Sequence, residues 1–124
     1  MTGRQKTIIV VEDEPDAAKM FSEMMRVNGF RVVRAPGSLP AMNLIAKEQP
    51  SAVILDIMLP DLSGLEVLRY MRQDPQLAMI PVVVSAKSLP SDIQTGLEAG
   101  ASLYLTKPVS YLDLKEAVEK VLGG

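Results

Sequence analysis

Acid, hydroxyl and amine side chains stand at the ends of four apolar runs. Asp56 closes Ala52-Val53-Ile54-Leu55, and Glu12 and Asp13 follow Thr7-Ile8-Ile9-Val10-Val11. Ser85 follows Pro81-Val82-Val83-Val84, and Lys107 follows Ser102-Leu103-Tyr104-Leu105 after one residue. A carboxylate at the end of a buried strand is costly to keep charged unless a cation or hydrogen-bond donors meet it. Three clustered carboxylates also repel one another, so at least one needs a partner or an abnormal pKa. A hard divalent cation takes oxygen ligands and relieves that repulsion, and Mg2+ suits such a donor set better than softer metals. A carboxylate oxygen can then attack an electrophilic phosphorus, while the metal and Lys107 hold charge on the transferring oxygens. Ser85 can donate a hydrogen bond to a phosphoryl oxygen.

Composition narrows the alternatives. The 124 residues include no His and no Cys. That removes the usual general base, the usual transition-metal ligands, disulfides, thiol nucleophiles and any phosphohistidine step within the chain. A net charge of -2 and a pI of about 5.1 argue against a duplex nucleic-acid binder. Hydrophobic residues make up 48% and charged residues 23%, the balance of a globular protein. No apolar run approaches the roughly 18 residues of a membrane span. No signal peptide is expected, because Arg4 and Lys6 lead only into the short run 7–11. The expected location is cytoplasmic.

The elements that must carry these groups alternate. Strands are expected at 7–11, 31–34, 52–56, 81–85 and 102–105, with helices between them. The first helix has Pro15 in its first turn, ends at Asn28-Gly29 and shows an apolar stripe of Ala17, Met20, Phe21 and Met24. Glu12-Asp13, taken alone, could cap it. A second, weaker helix spans about 38–48, with Pro40 restricting its start. The third begins near Gly64, buries Val67, Leu68 and Met71, and ends at Asp74-Pro75. A short fourth spans about 91–99 on Ile93 and Leu97, loosened by Gly96. The last carries Leu114, Ala117, Val118, Val121 and Leu122 on one face, with Ser110 as N-cap. Such alternation implies right-handed crossovers and one parallel sheet with helices on both faces. Ligand sites in these sheets lie at the carboxyl ends of the strands, where the polar residues above stand. A single domain over 1–124 is expected, with no room after Val121 for an output domain.

In order and spacing, Glu12-Asp13, Asp56, Met58-Leu59-Pro60, Gly64, Ser85-Ala86, Gly100-Ala101, Tyr104 and Lys107-Pro108 resemble the response-regulator receiver domain of two-component signalling. No single piece is specific, but their joint placement on one sheet edge is. The resemblance covers essentially the whole chain. It implies a flavodoxin-like (βα)5 fold with strand order 2-1-3-4-5. Asp56 would be the phosphoacceptor. Asp13, Asp56 and the main-chain carbonyl of Met58 would bind Mg2+, for which Mn2+ could substitute, and Glu12 would assist through a water. Ser85 would be the switch hydroxyl, Tyr104 the switch aromatic, and Lys107 the phosphoryl holder, with a cis Lys107-Pro108 bond. The domain would be a regulator that catalyses only its own phosphorylation and dephosphorylation. The donor would be a sensor histidine kinase or a histidine phosphotransfer domain, docking around Glu14, Pro15, Ala17 and Met20. Phosphorylation would change the surface of the fourth helix, fifth strand and fifth helix for an unnamed target. Lys115, Glu116, Glu119 and Lys120 on the last helix could support a phosphorylation-dependent homodimer or simply face solvent.

Several positions depart from the commoner pattern. Glu12 replaces Asp, Ser85 replaces Thr, and Val109 stands where many members have Phe. Met58 and Lys87 lie two residues past acceptor and hydroxyl, where the family tunes the lifetime of the phosphoryl group. Pro90 is expected to shorten the fourth helix. Two other readings compete. Haloacid-dehalogenase phosphatases use a similar set, but their paired acids come late in sequence, and a second Asp stands where this chain has Met58. A non-phosphorylated receiver-like interaction module would have no need to keep the acids, Ser85 and Lys107 together.

Overall fold

The computed structural model describes residues 5–86 and 90–123. Lys87 lies outside them, and so do the side chains of Pro90 and Ile93. The strands are β1 (Thr7–Val11), β2 (Arg31–Ala35), β3 (Ala52–Asp56), β4 (Val82–Ala86) and β5 (Leu103–Thr106). The helices are α1 (Pro15–Val27), α2 (Ser38–Glu48), α3 (Gly64–Gln73), α4 (Pro90–Glu98) and α5 (Tyr111–Val121). All pairings are parallel, in the order β2-β1-β3-β4-β5, as expected. β4 and β5 each start one residue later than their apolar runs. Pro81 has no amide hydrogen to give the ladder, so β4 opens at Val82.

Alternation along the central strands divides the core in two. Ile9, Val11, Val53, Leu55, Val82 and Val84 face one side, with Ala41 and Ile45 of α2 and Val67, Leu68 and Met71 of α3. Ile8, Val10, Ala52 and Ile54 face the other, with Phe21 and Met25 of α1 and Leu114 and Val118 of α5. Side chains of period two on a sheet covered on both faces give near-continuous apolar strands. That is why 52–55 carries no polar residue until Asp56.

Two expected helix faces are corrected. The buried residues of α1 are Ala18, Phe21, Ser22 and Met25, while Met20 is 39% exposed. Phe21 is buried and Ala17 and Met24 pack partly on the core, so of the expected stripe only Met20 turns outward, while Ala18, Ser22 and Met25 join the buried face. Leu97 of α4 is 48% exposed and is not an anchor. The face turned to β5 is at Gly96, where an added Cβ would stand 3.1 Å from the Tyr104 ring. The α1 N-cap is also neither Glu12 nor Asp13. Glu14 caps it, accepting from the N–H groups of Asp16 (3.1 Å) and Ala17 (2.7 Å). Ser110 caps α5 as expected, accepting from Asp113 N–H at 3.0 Å. Among the described residues no helix is long and apolar enough to cross a membrane.

The start of α3 is pressed against the end of β3. Gly64 N–H donates to the Ile57 carbonyl at 2.7 Å, and a Cβ on Gly64 would lie 2.2 Å from the Asp56 carbonyl oxygen. That neighbour is main chain and cannot swing aside. Gly64→Ala is therefore expected to lower stability by about 3 kcal/mol, the upper part of the overpacking range. Urea unfolding checks this, and an unchanged midpoint would mean that α3 can retreat from the strand freely.

Candidate functional site

Strand register builds the site. Val11 pairs with Leu55, and Asp56 pairs with Ser85, so Glu12 comes level with both at the carboxyl end of the sheet. Lys107 lies past the end of β5, its N–H on the Ala86 carbonyl at 2.9 Å. Its side chain is long enough to reach back to the acids. Lys107 Nζ lies 3.0 Å from Glu12 Oε1 and 3.1 Å from Asp56 Oδ2, bridging two carboxylates that are 1% and 6% exposed. The other oxygens are engaged as well. Glu12 Oε2 accepts from Glu14 N–H at 3.2 Å, and Asp56 Oδ1 from Met58 N–H at 3.1 Å.

Burial raises the Glu12 carboxyl above its ordinary value. The Lys107 ammonium pulls the other way, and the Asp56 charge adds to the rise. Burial likewise works against the Lys107 ammonium, but hydrogen bonds to Glu12 and Asp56 and their charges outweigh it, so its pKa is raised. The same ion pair favours both charges. Glu12 still loses on balance because its side chain is almost wholly covered, whereas that of Lys107 is 30% exposed.

Asp13 is exposed beside these two acids. One carboxylate oxygen from each of Glu12, Asp13 and Asp56 lies within 4.8 Å of the others, a spacing that one cation could span. A cavity of about 300 Å3, lined by Glu12, Asp13, Pro15, Arg34, Ala35 and Pro36, opens the cluster to solvent. Three carboxylates against one ammonium leave excess negative charge, and the donors are all oxygen. Both features fit Mg2+.

Ser85 Oγ is buried and has no hydrogen-bond partner among the described residues, although the strand beside it carries Asp56. Ser22 Oγ is also unpaired, inside α1, so an orphan hydroxyl alone is not diagnostic. What singles out Ser85 is its register. Tyr104 is set one step back, level with Val84, half-buried against α4 and not among the acids. The Lys107–Pro108 bond is cis.

Of the residues expected to meet a partner, Glu14, Ala17 and Met20 line one wall of a groove of about 600 Å3. Phe21, Lys107, Pro108 and Val109 complete it, and the sequence pattern pointed to none of these four as a docking wall. Pro15 lines the cavity over the acids instead.

Replacing Lys107 with Met would leave Glu12 and Asp56 facing each other without their cation. The expected loss is about 1–3 kcal/mol at pH 7, below that of a fully buried pair because water reaches Lys107. The Lys107 contribution is present below its unfolded value and is lost only as pH rises through its raised folded value. The Glu12 shift has the opposite sense for an acid. Its raised value favours the folded chain as pH falls, most of all once Lys107 is gone. The gap between Lys107→Met and wild type should therefore shrink from pH 7 to pH 5 in urea unfolding, and a constant gap would contradict this charge assignment.

The model of the family described as "Response regulator receiver domain" matches residues 8–119. A polar-differentiation response regulator, DivK, of Brucella anthropi is 31% identical over 119 residues, covering 95% of this chain and 97% of that protein. A response regulator structure from Chloroflexus aurantiacus superposes with a TM-score of 0.93 at 31% identity, covering 98% of this chain and all of the other. The receiver domain of a sensor histidine kinase from Pseudomonas aeruginosa, with magnesium coordinated in its active-site cleft, gives a TM-score of 0.89 at 26% identity, covering 98% of this chain and 100% of that one. Sheet order, acidic cluster and these likenesses agree, and the chain belongs to the response-regulator receiver domain family.

Proposed function

We propose that this receiver is a phosphorylation-controlled signalling switch in a phosphorelay, with Asp56 as its phosphoacceptor. The observation that carries the reading is the bridge from Lys107 Nζ to Glu12 Oε1 and Asp56 Oδ2, beside the unpartnered Ser85 hydroxyl. An ammonium and a hydroxyl there suit oxygens that would arrive on Asp56. Asp13, Asp56 and the Met58 carbonyl would hold Mg2+, or Mn2+ with its similar taste for oxygen, with Glu12 assisting through a water. When bound, the cation would neutralise charge on the acids and the transferring group. An Asp56 carboxylate oxygen attacks phosphorus as the P–N bond of a partner's phosphohistidine breaks, and the electron pair leaves with the imidazole. Lys107 stays with the charge on the phosphoryl oxygens, and Ser85 Oγ donates to one of them. The product adds about two negative charges and new acceptors at one strand end. Movement of Ser85 toward it would open space for the Tyr104 ring and change the surface of α4, β5 and α5. A near-complete switch requires the phosphorylated form to favour the active state by roughly 5 kcal/mol.

The phosphohistidine donor would be a histidine kinase or phosphotransfer domain seated in the groove between α1 and the Lys107–Val109 segment. Two features support this. Its lining is mainly apolar, from Ala17, Met20, Phe21, Pro108 and Val109, and it includes Lys107 of the acidic site.

Incubation with acetyl phosphate and Mg2+ is expected to add one phosphoryl group per chain by mass spectrometry, and Asp56→Asn to add none. Equal uptake by the variant would remove Asp56 as acceptor, and no uptake by either would favour a non-phosphorylated interaction module. Met20→Glu is expected to slow transfer from a phosphorylated histidine donor about tenfold relative to labelling by acetyl phosphate, the effect of losing one interface anchor. Equal slowing with both donors would argue against the groove as the docking surface.

A further inference from the structure

The N-terminus of α2 is capped from outside the helix. Its own N-cap residue is Gly37, extended at φ −164° and without a side chain to offer. The first amides of a helix need acceptors. Here the Ser38 N–H donates to Asp61 Oδ1 at 2.8 Å and the Leu39 N–H to Asp61 Oδ2 at 2.9 Å. Asp61 belongs to the loop between β3 and α3, and the loop is tied a second time where Ser38 Oγ donates to the Leu62 carbonyl at 2.6 Å. Ser38 is fully buried. The N–H groups of Leu39 and Ser38 hold the Asp61 carboxyl down to about 2, so the clasp is anionic across the physiological range.

The same loop carries Met58. Its N–H meets Asp56 Oδ1, and its carbonyl is assigned above to the cation. Burial does little to hold this stretch: Met58 is 65% and Leu62 40% exposed, and Leu59 is the residue between them that packs on the core. The polar clasp ties the far side of the loop to α2, alongside the Gly64 N–H bond to the Ile57 carbonyl that ties it to β3.

We propose that Asp61 is a positioning residue of the phosphoacceptor site: by gripping the α2 N-terminus it fixes the β3–α3 loop and so sets the Met58 main chain against Asp56 and the cation. This rests on the receiver reading above. A cap that served only α2 stability would be replaceable by any other cap. The position set for Met58 requires the cap to come from the loop itself.

Two variants separate these roles. Asp61→Ala removes clasp and cap together. Gly37→Ser added to Asp61→Ala restores a local cap, since the backbone at 37 is extended and the Asp61 carboxylate, 3.1 Å from the new Cβ site, is gone. Mg2+ affinity is read by titration calorimetry, labelling by acetyl phosphate at limiting and saturating Mg2+, and stability by urea unfolding. Asp61→Ala is expected to weaken Mg2+ binding by about tenfold, as loss of a partner that orients a metal ligand does. Labelling should slow most at limiting Mg2+. Gly37→Ser in that background should recover the unfolding midpoint and leave Mg2+ affinity weak. If Asp61→Ala does not fold, Asp61→Asn, which keeps one acceptor oxygen, is expected to lose part of the affinity. Unchanged Mg2+ affinity in the Asp61 variants, or recovery of affinity together with stability in the double variant, would overturn the proposal while wild type still binds and is labelled. A wild type that neither binds Mg2+ nor takes label would overturn the receiver reading, and the proposal with it.

Discussion

The rest of the site depends on how the sheet keeps negative charge at its edge. Glu12 and Asp56 are nearly covered, and water cannot solvate them as it would on an open surface. Lys107 answers both carboxylates with one ammonium, and main-chain N–H groups of Glu14 and Met58 take the remaining oxygens. Asp13 adds a third acid on the open side. The balance is left short of positive charge, and the Glu12 pKa is raised, first by burial and then by the neighbouring Asp56 charge, against the pull of Lys107. A structure that wanted only stability would replace such a cluster with apolar residues at little cost. Keeping the shortfall leaves room for a cation to be attracted and, on the proposed reading, for a phosphoryl group to be held.

Much of this was legible in the sequence because parallel sheets write a simple pattern. Strands buried on both faces read as unbroken apolar runs, so the first polar residue after each run marks the strand's carboxyl end. Asp56, Glu12 and Ser85 announce themselves that way. Lys107 is less direct, because it stands beyond its strand and reaches back. Helix faces were less legible. Counting hydrophobicity put Met20 toward the core of α1, but buried places went to Ala18 and Ser22, which hydrophobicity ranks low. Leu97 was misread for a related reason, since the residue that meets the Tyr104 ring is Gly96, which has no side chain to count.

What the pattern could not carry was pairing across sequence distance. Asp61 looks like an ordinary polar loop residue, and the α2 start looks uncapped, because Gly37 and Ser38 give no complete capping signature. Each half of the clasp is unremarkable alone. A helix start lacking its own side-chain acceptor was a signal available in principle, but it names a vacancy and not the residue that fills it. The groove beside α1 is similar. Its first wall follows from the helix, while Pro108 and Val109 join only through the fold.

The contact between Tyr104 and α4 carries a mechanical consequence. The ring lies where a side chain at position 96 would be, so at that position it faces main chain with no side chain to interlock with it. Two surfaces joined by teeth must disengage before either can slip, whereas a flat plate on a smooth rail slides with little resistance. At Gly96 the contact is of the second kind. The glycine that weakens α4 as a helix gives this edge of the molecule a bearing.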